Sequence, residues 1–137
     1  MTASVKSMAI RKEHVSFGRG EHRIDLFATI TPDGLVATIV GGKRPHVGAV
    51  AVGIPRPSLA EPSRLSVTSS VLTLIGHKDD EVARPIAEKL AKGLNKTSVV
   101  VAGMHIEGAD REDIKTLKSN SVQAARIFLN KMEMPAT

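Results

Sequence analysis

Residues 21–42, EHRIDLFATITPDGLVATIVGG, decide the fold. From residue 24 to residue 30 every second position is apolar, which is typical of a half-buried strand. TPDG at 31–34 predicts a turn, because proline presets φ and Gly34 accepts a positive φ. The apolar run at 35–42 then returns along the first segment. The stretch therefore predicts a β-hairpin.

Four further segments predict strands. They are residues 13–18, 47–55, 64–76 and 97–106. The small residues of 47–55 predict close packing over one face of that strand. Three prolines in PRPSLAEPS, residues 55–63, predict a loop.

A helical period replaces the strand period between residues 79 and 95. Apolar residues recur every fourth position at Val82, Ile86, Leu90 and Leu94, and GLNK marks the end of the segment. Pro85 leaves two starts open. Either the helix begins near Lys78 and loses one hydrogen bond at the proline, or its regular part begins near the proline itself.

A second helix is predicted after GADRED. Asp110 is the expected N-cap, with Asp113 three residues later, and KSNS at 118–121 is a candidate break into two pieces. One face carries the apolar residues Ile114, Leu117, Ala124, Ala125, Phe128 and Met132.

This order of elements predicts an α+β fold. We expect a mostly antiparallel β-sheet with two helices packed on one face, in a single domain over residues 1–137. Without Trp or Tyr and with three Phe, the core must be aliphatic. The lack of Cys excludes disulfides and thiolate metal sites. No apolar run approaches the ~20 residues of a membrane span, and the first residues show no secretory signal, so we expect a cytoplasmic protein.

The charge balance favours anionic partners. Nineteen Lys and Arg against fourteen Asp and Glu give a net charge of +5, which suits phosphates, nucleic acid or acidic proteins. The charges are scattered, a distribution equally typical of plain solubility. Nucleic acid is the weaker candidate, because no Tyr or Trp can stack on bases.

Three stretches join glycine to histidine beside an apolar strand: GGKRPHVG (41–48), IGHKDDE (75–81) and AGMHIEG (102–108). Glycine lets backbone approach a ligand closely, and histidine donates, accepts, titrates or binds metal. Lys78 at a helix start forms a ready anion site. The alternative interpretation is that Asp79 or Asp80 caps that helix. Each stretch alone also fits a structural role. Together they predict a pocket for a phosphate-bearing ligand.

Other chemistries fit the histidines and serines less well. His46, His77 and His105 could supply three imidazoles to zinc, but their spacing is long and no His-x-x-x-His motif occurs. A serine hydrolase is disfavoured, because the sequence has no Gly-x-Ser-x-Gly elbow. His14 and His22 occupy polar, alternating strand contexts that predict surface positions.

The segments Pro45-His46-Val47-Gly48, Gly76-His77-Lys78 and Gly103-Met104-His105-Ile106 resemble a known family. The chain is similar over residues 20–120 to prenylated-flavin chaperones, the D subunits associated with UbiD-like gallate and hydroxybenzoate decarboxylases. The resemblance implies a non-catalytic protein that binds prenylated flavin mononucleotide, or its reduced precursor, and passes it to an apo-decarboxylase. It thus implies two partners, the flavin and the enzyme. The small size of the chain and the broad face of the predicted sheet favour a homodimer or larger homo-oligomer.

The physics of the motifs then selects candidate cofactor-binding residues. They are Gly42, Lys43, Arg44, His46, Gly76, His77, Lys78, Met104 and His105. Met104, Phe27, the imidazoles or a partner subunit are candidates for contact with the flavin ring. Two alternatives stay open: a small flavin- or metal-dependent enzyme using His77 and His105 as acid and base, and an interaction subunit that binds no small molecule.

Overall fold

The computed structural model describes residues 9–74 and 79–133. All six predicted strands and both predicted helices are present. In chain order they are β1 (Arg11–Phe17), β2 (Ile24–Ile30), β3 (Gly34–Gly42), β4 (Ala49–Pro57), β5 (Leu65–Thr73), α1 (Asp80–Leu94), β6 (Thr97–His105) and α2 (Arg111–Met132), with a 3-10 turn (Gly20–His22) between β1 and β2.

The six strands form one sheet in the order β1-β2-β3-β6-β4-β5. Every neighbouring pair is antiparallel except β3 and β6, which run parallel at the centre. Helix α1 packs over β4, β5 and β6, and α2 packs over β1 and β2. The predicted α+β fold, with a mostly antiparallel sheet and two helices, is confirmed.

The core lies between the helices and one face of the sheet. Alternate residues of β2 and β3 are buried, as the period of two predicted. The core is aliphatic apart from Phe128. Its fully buried members include Ile24, Leu26, Ile39, Ile86, Leu90, Val100 and Phe128. No helix in residues 9–74 and 79–133 is long and apolar enough to cross a membrane.

The hairpin turn at residues 31–34 forms differently from its prediction. The Thr31 N–H donates to the Gly34 carbonyl at 2.8 Å, and the Gly34 N–H donates to the Thr31 hydroxyl oxygen at 3.1 Å. Gly34 does not adopt a positive φ, so that part of the prediction is wrong. A side chain there would instead meet the Thr97 carbonyl oxygen at 2.7 Å. The glycine thus admits β6 beside β3.

Helix α1 runs continuously from Asp80 to Leu94 with Pro85 inside it, so the first of the two predicted starts is the correct one. Asn95 ends the helix in the left-handed conformation, with φ 52° and ψ 47°. The helix lies very close to β4, because Gly53 leaves room for the Ala87 carbonyl. This contact confirms the predicted close packing over the 47–55 strand.

Helix α2 begins at the predicted cap and continues through KSNS. Asp110 and Asp113 form a reciprocal capping box. The predicted break at 118–121 is wrong, because the Asn120 and Ser121 side chains find hydrogen-bond partners without disturbing the helix. Ser121 is buried and donates to the Leu117 carbonyl at 2.7 Å, and Asn120 donates to the His22 carbonyl at 2.8 Å.

Gly53 and Gly93 offer a matched test of this packing. In Gly53→Ala the new methyl meets the Ala87 carbonyl oxygen at 2.6 Å, so we expect a loss of about 1–3 kcal/mol in unfolding free energy, as in an overpacked core. In Gly93→Ala the methyl meets only the movable Leu129 side chain, and alanine favours a helix interior by about 0.5–1 kcal/mol. Thermal unfolding measures both. Equal destabilisation by the two substitutions would contradict the proposed role of Gly53.

Candidate functional site

Two of the three predicted glycine–histidine stretches meet at the edge of the sheet where the central strands β3 and β6 end. Strands β3 and β6 are parallel and end together, so that Gly42 pairs with His105. The following loop stays attached to β6, since the N–H groups of Lys43 and Arg44 both donate to the His105 carbonyl, at 2.8 and 3.2 Å. Further on, the Gly48 N–H donates to the Ala102 carbonyl at 2.9 Å. The 41–48 and 102–108 stretches therefore share one site.

The glycines of these stretches make room for the protein itself. Gly42 has φ 75°, and a side chain there would collide with the His105 carbonyl. One at Gly103 would collide with the His46 carbonyl, and one at Gly48 would overlap the Asp79 carboxylate. From the sequence alone, these glycines are expected to let the backbone approach a ligand closely. In the structure the glycines allow the loop, β6 and the start of α1 to interlock.

Asp79 joins the third stretch to the other two. Its side chain is 6% exposed, and one carboxylate oxygen accepts a hydrogen bond from the Met104 N–H at 3.2 Å. The predicted capping role is wrong for this side chain, which makes no capping hydrogen bond to α1. Sequence reasoning missed its actual position. The available signal was a second acidic residue, Asp80, beside it, since one cap needs only one carboxylate.

His46 lies between the loop and Asp79. Its Nδ1 is 3.1 Å from the Arg44 carbonyl, and because a carbonyl only accepts, Nδ1 carries a proton. Its Nε2 lies 3.2 Å from the other Asp79 oxygen but without the alignment of a hydrogen bond.

His105 is the more exposed of the two imidazoles at this edge. Its ring stands edge-on to that of His46, with centroids 6.4 Å apart. Its Nε2 lies 3.2 Å from a Glu107 carboxylate oxygen. In the described ranges, no group of three or more His, Asp or Glu side chains could hold a metal ion.

An apolar cleft at this edge opens between β6, α1 and α2. Its volume is about 440 Å³. Most of its wall is aliphatic or thioether, and Asp79, His105 and Lys118 supply the charged or titratable groups. The lining residues are Asp79, Val82, Met104, His105, Ile106, Gly108, Ala109, Ile114, Leu117 and Lys118.

A second cleft of about 310 Å³ shares His105 with the first, and we call it the polar cleft for the guanidinium and the two imidazoles among its lining residues. It is lined by Arg44, Pro45, His46 and His105. His105 thus lines both clefts and stands at their junction. The edge combines an apolar cleft with a neighbouring cationic one, an arrangement suited to a ligand that has a flat apolar part and an anionic part.

Several predicted site residues lie elsewhere. Lys43 pairs with Glu21 at 2.9 Å, which raises the pKa of the Lys43 ammonium. Neither Lys43 nor Gly42 lines the two clefts. Phe27 stacks on His14 at 4.2 Å, on β1 and β2, and is therefore no neighbour of the clefts. Gly76, His77 and Lys78 lie outside the described residues.

Two further histidines and one lysine complete the comparison with the sequence. His14 is half-exposed beside Asp25, as predicted, whereas His22 lies in the 3-10 turn and reaches Asp113 at 2.8 Å. Lys118 was missed as a cleft residue, because KSNS was interpreted as a helix break. Its ammonium lies 2.9 Å from Glu81.

Comparison with solved structures shows the same fold in an unrelated setting. The chain aligns with a chain from the crystal structure of a chaperone complex for yeast 20S proteasome assembly, with a TM-score of 0.59 and 15% identity, covering 92% of this chain and 97% of the other. At that identity the likeness concerns the fold alone. No curated protein matches the sequence.

The sequence itself matches a family profile over nearly its whole length. Residues 18–133 match the prenylated flavin chaperone LpdD-like domain. This range includes both clefts, every strand from β2 to β6, and both helices. The family resemblance inferred from the three motifs is thereby confirmed, and the chain belongs to the prenylated flavin chaperone family with an LpdD-like domain.

Proposed function

We propose that this chain binds prenylated flavin mononucleotide, or its reduced precursor, and delivers it to an apo UbiD-like decarboxylase. It acts in the cytoplasm, as a homo-oligomer and without turnover of its own. Membership of the flavin chaperone family supports the chaperone role.

One observation carries the ligand proposal: an apolar cleft and a smaller cleft that contains the Arg44 guanidinium meet at His105. A flavin mononucleotide pairs a flat, largely apolar ring system with a phosphate. Small-molecule sites are typically clefts of ~300–1,000 Å³ with mostly apolar walls and a few polar groups. The larger cleft has this size and composition, and Arg44 in the smaller cleft offers a bidentate donor for phosphate.

We therefore assign the ring to the apolar cleft and the phosphate to the polar one. Met104 and Ile114 contact the ring in this assignment, and His105 lies between the two parts. Arg44 and His46 face the phosphate, assisted by Gly76, His77 and Lys78 from the segment that precedes Asp79. Lys43, paired with Glu21, contributes only a distant charge.

The wall of the apolar cleft suits a carrier. It offers no Trp or Tyr to stack on the ring, since the chain has neither. Met104 provides a polarizable sulfur, which lies 3.8 Å from the Ser121 hydroxyl oxygen. Weak stacking favours release, and a tenfold preference for the receiving enzyme needs only about 1.4 kcal/mol.

The proposed phosphate site is tested by neutralising the two cations assigned to it. We expect Arg44→Gln and Lys78→Gln each to weaken binding of flavin mononucleotide by about 1–3 kcal/mol, the scale of a charge-assisted hydrogen bond. Lys43→Gln is the matched control, because it removes the same charge one residue away but from an ion pair with Glu21. Fluorescence titration measures all three. Equal losses in Arg44→Gln and Lys43→Gln would reveal a general field effect and remove Arg44 from the site.

The apolar cleft is tested on α2. Ile114 and Ile127 have nearly equal exposed fractions, 37% and 38%, but only Ile114 lines the cleft. We expect Ile114→Glu to weaken flavin binding at least about tenfold, because a carboxylate would then be desolvated against the ring. Ile127→Glu should leave the affinity unchanged. Thermal unfolding of both variants checks that the helix survives. Unchanged affinity in a folded Ile114→Glu variant would place the ring elsewhere.

Delivery is tested with the full chain and an apo UbiD-like decarboxylase. We expect flavin-loaded protein to activate the enzyme faster and more completely than the same concentration of free prenylated flavin. Decarboxylation is followed after mixing, with loaded protein alone as the control. Turnover in that control would make the chain an enzyme. No gain over free flavin would contradict delivery, while leaving the binding measurements intact.

A further inference from the structure

The two helices carry charge of a single sign over most of their length. Residues 89–106 contain three Lys and residues 114–132 contain four Lys or Arg, whereas all fourteen Asp and Glu of the chain lie outside these two ranges. Cations in the last turn of a helix complement its dipole, which accounts for Lys92 and Lys131. It does not account for four cations that lie earlier in the helices. They are Lys89, Lys115, Lys118 and Arg126.

Helices α1 and α2 run side by side in the same direction, which places these cations on one surface. Glu81 of α1 lies 2.9 Å from Lys118 of α2, and about three turns later a side chain on Gly93 would meet Leu129. Residues three or four apart share one face of a helix. Two such rows therefore lie beside each other. They are Lys115, Lys118, Val122 and Arg126 on α2, and Glu81, Pro85, Lys89 and Lys92 on α1.

A groove of about 510 Å³ accompanies these two rows. Pro85 and Val122 contribute apolar surface to it from the two helices, and Lys89 and Lys92 contribute cations. Arg126 lies one turn beyond Val122 and is exposed. We call these five residues the basic groove. Apolar surface surrounded by charged residues is typical of an interface between proteins.

The cations of the basic groove are available to a partner, because the nearest carboxylates are already engaged. Glu81 pairs with Lys118, and Glu88 accepts a hydrogen bond from the Ser69 hydroxyl at 2.6 Å. Within residues 9–74 and 79–133, Lys89, Lys92 and Arg126 form no ion pair. Their positive potential is therefore uncompensated on the protein, and such a field attracts and orients a partner of opposite charge.

The basic groove borders the apolar cleft. Lys118, which belongs to the α2 row, also lines that cleft. Val82 lies one helical turn before Pro85 on α1, and it lines the cleft together with Ile114, one turn before Lys118 on α2. A protein bound along the groove thus lies next to the cleft that we assign to the flavin ring.

The chemistry of the groove favours an acidic protein over other polyanions. The chain has no Trp or Tyr to stack on the bases of a nucleic acid. An anionic membrane is disfavoured, because the apolar faces of both helices pack into the core and cannot insert into lipid. A partner protein can fill the groove with a side chain and place its carboxylates against the surrounding cations.

We propose that the basic groove docks an acidic surface of the receiving decarboxylase and steers the two proteins together. This inference rests on the proposed function, since delivery supplies the enzyme as the partner. Complementary charge raises the rate of association more than it raises the final affinity. That division suits a carrier, which must find its enzyme quickly and leave it after transfer.

The test is the rate at which the full-length chain associates with an apo UbiD-like decarboxylase, measured by biolayer interferometry without flavin. We expect Arg126→Glu and Lys92→Glu each to lower the association rate constant at least about fivefold, because these charges act on the encounter. The dissociation rate constant should change less than about twofold. Thermal unfolding checks that both variants fold, and substitutions at exposed positions rarely change stability by more than about 0.5 kcal/mol.

Arg19→Glu is the matched control. It makes the same change of charge at an exposed arginine beside the 3-10 turn. That turn contacts Asn120, on the flank of α2 opposite to the row of Lys118 and Val122. The control should associate like the wild-type chain. Equal slowing in Arg126→Glu and Arg19→Glu would show that only net charge matters, and would overturn the proposal.

Salt provides a second measurement that needs no variant. Raising NaCl from about 50 to about 500 mM should lower the wild-type association rate constant at least about tenfold, because salt screens the attraction. A rate that is insensitive to salt would overturn the proposal, as would the lack of any complex between the two proteins. Duplex DNA or phosphatidylserine vesicles serve as competing polyanions. Tighter binding to either one than to the enzyme, lost in Arg126→Glu, would assign the groove to that polyanion instead.

Docking and ligand binding fail separately in these experiments. The association measurements contain no flavin, and neither Lys92 nor Arg126 lines the two clefts. Slow association with flavin affinity retained would locate the defect in docking. Normal association without faster activation than by free flavin would contradict delivery and leave the docking surface in place.

Discussion

The buried carboxylate of Asp79 is the contact on which the architecture of the site depends. It accepts a hydrogen bond from the Met104 N–H and lies against Gly48 and His46. Three segments far apart in sequence thus meet at one carboxyl group with almost no access to water. A buried polar group is tolerated only where hydrogen bonds replace its contacts with water. The position of α1 relative to β6, and so the shape of the apolar cleft, follows from satisfying this group.

The sequence predicts those parts of the molecule whose structure depends on local patterning. The strands of residues 24–42 and the cap at Asp110 depend on local patterning, so a single sequence contains the information. The break expected at residues 118–121 is absent because two of these side chains find hydrogen-bond partners. Ser121 donates to a carbonyl of the preceding helical turn, and Asn120 donates to the carbonyl of His22, which is distant in sequence. Local polarity predicts an interruption, but tertiary contacts decide the outcome.

The sequence predicts which stretches form the site, but not how their side chains pair. Parallel pairing of β3 and β6 brings the 41–48 and 102–108 stretches together, and their shared glycine–histidine composition indicated that meeting. The sequence could not show that Gly48 faces Asp79, nor that Lys43 turns toward Glu21. The sequence does not indicate that Lys118 lines the apolar cleft, because this residue lies on α2 and not in one of the glycine–histidine stretches. Such pairings depend on three-dimensional positions that no residue spacing encodes, and the cofactor role of each residue stays a prediction.

The parallel pair at the centre of the sheet also has a kinetic meaning. Residues 11–42 fold back on themselves through short connections, and β4 and β5 form a second hairpin. The two halves join when β3 pairs with β6, with Gly34 opposite Thr97, and this closes a loop that spans nearly half of the chain. Loop closure of this length is among the slower steps of folding. Both clefts lie where the paired strands β3 and β6 end, so a nascent or partly unfolded chain has no cavity in which to hold a ligand.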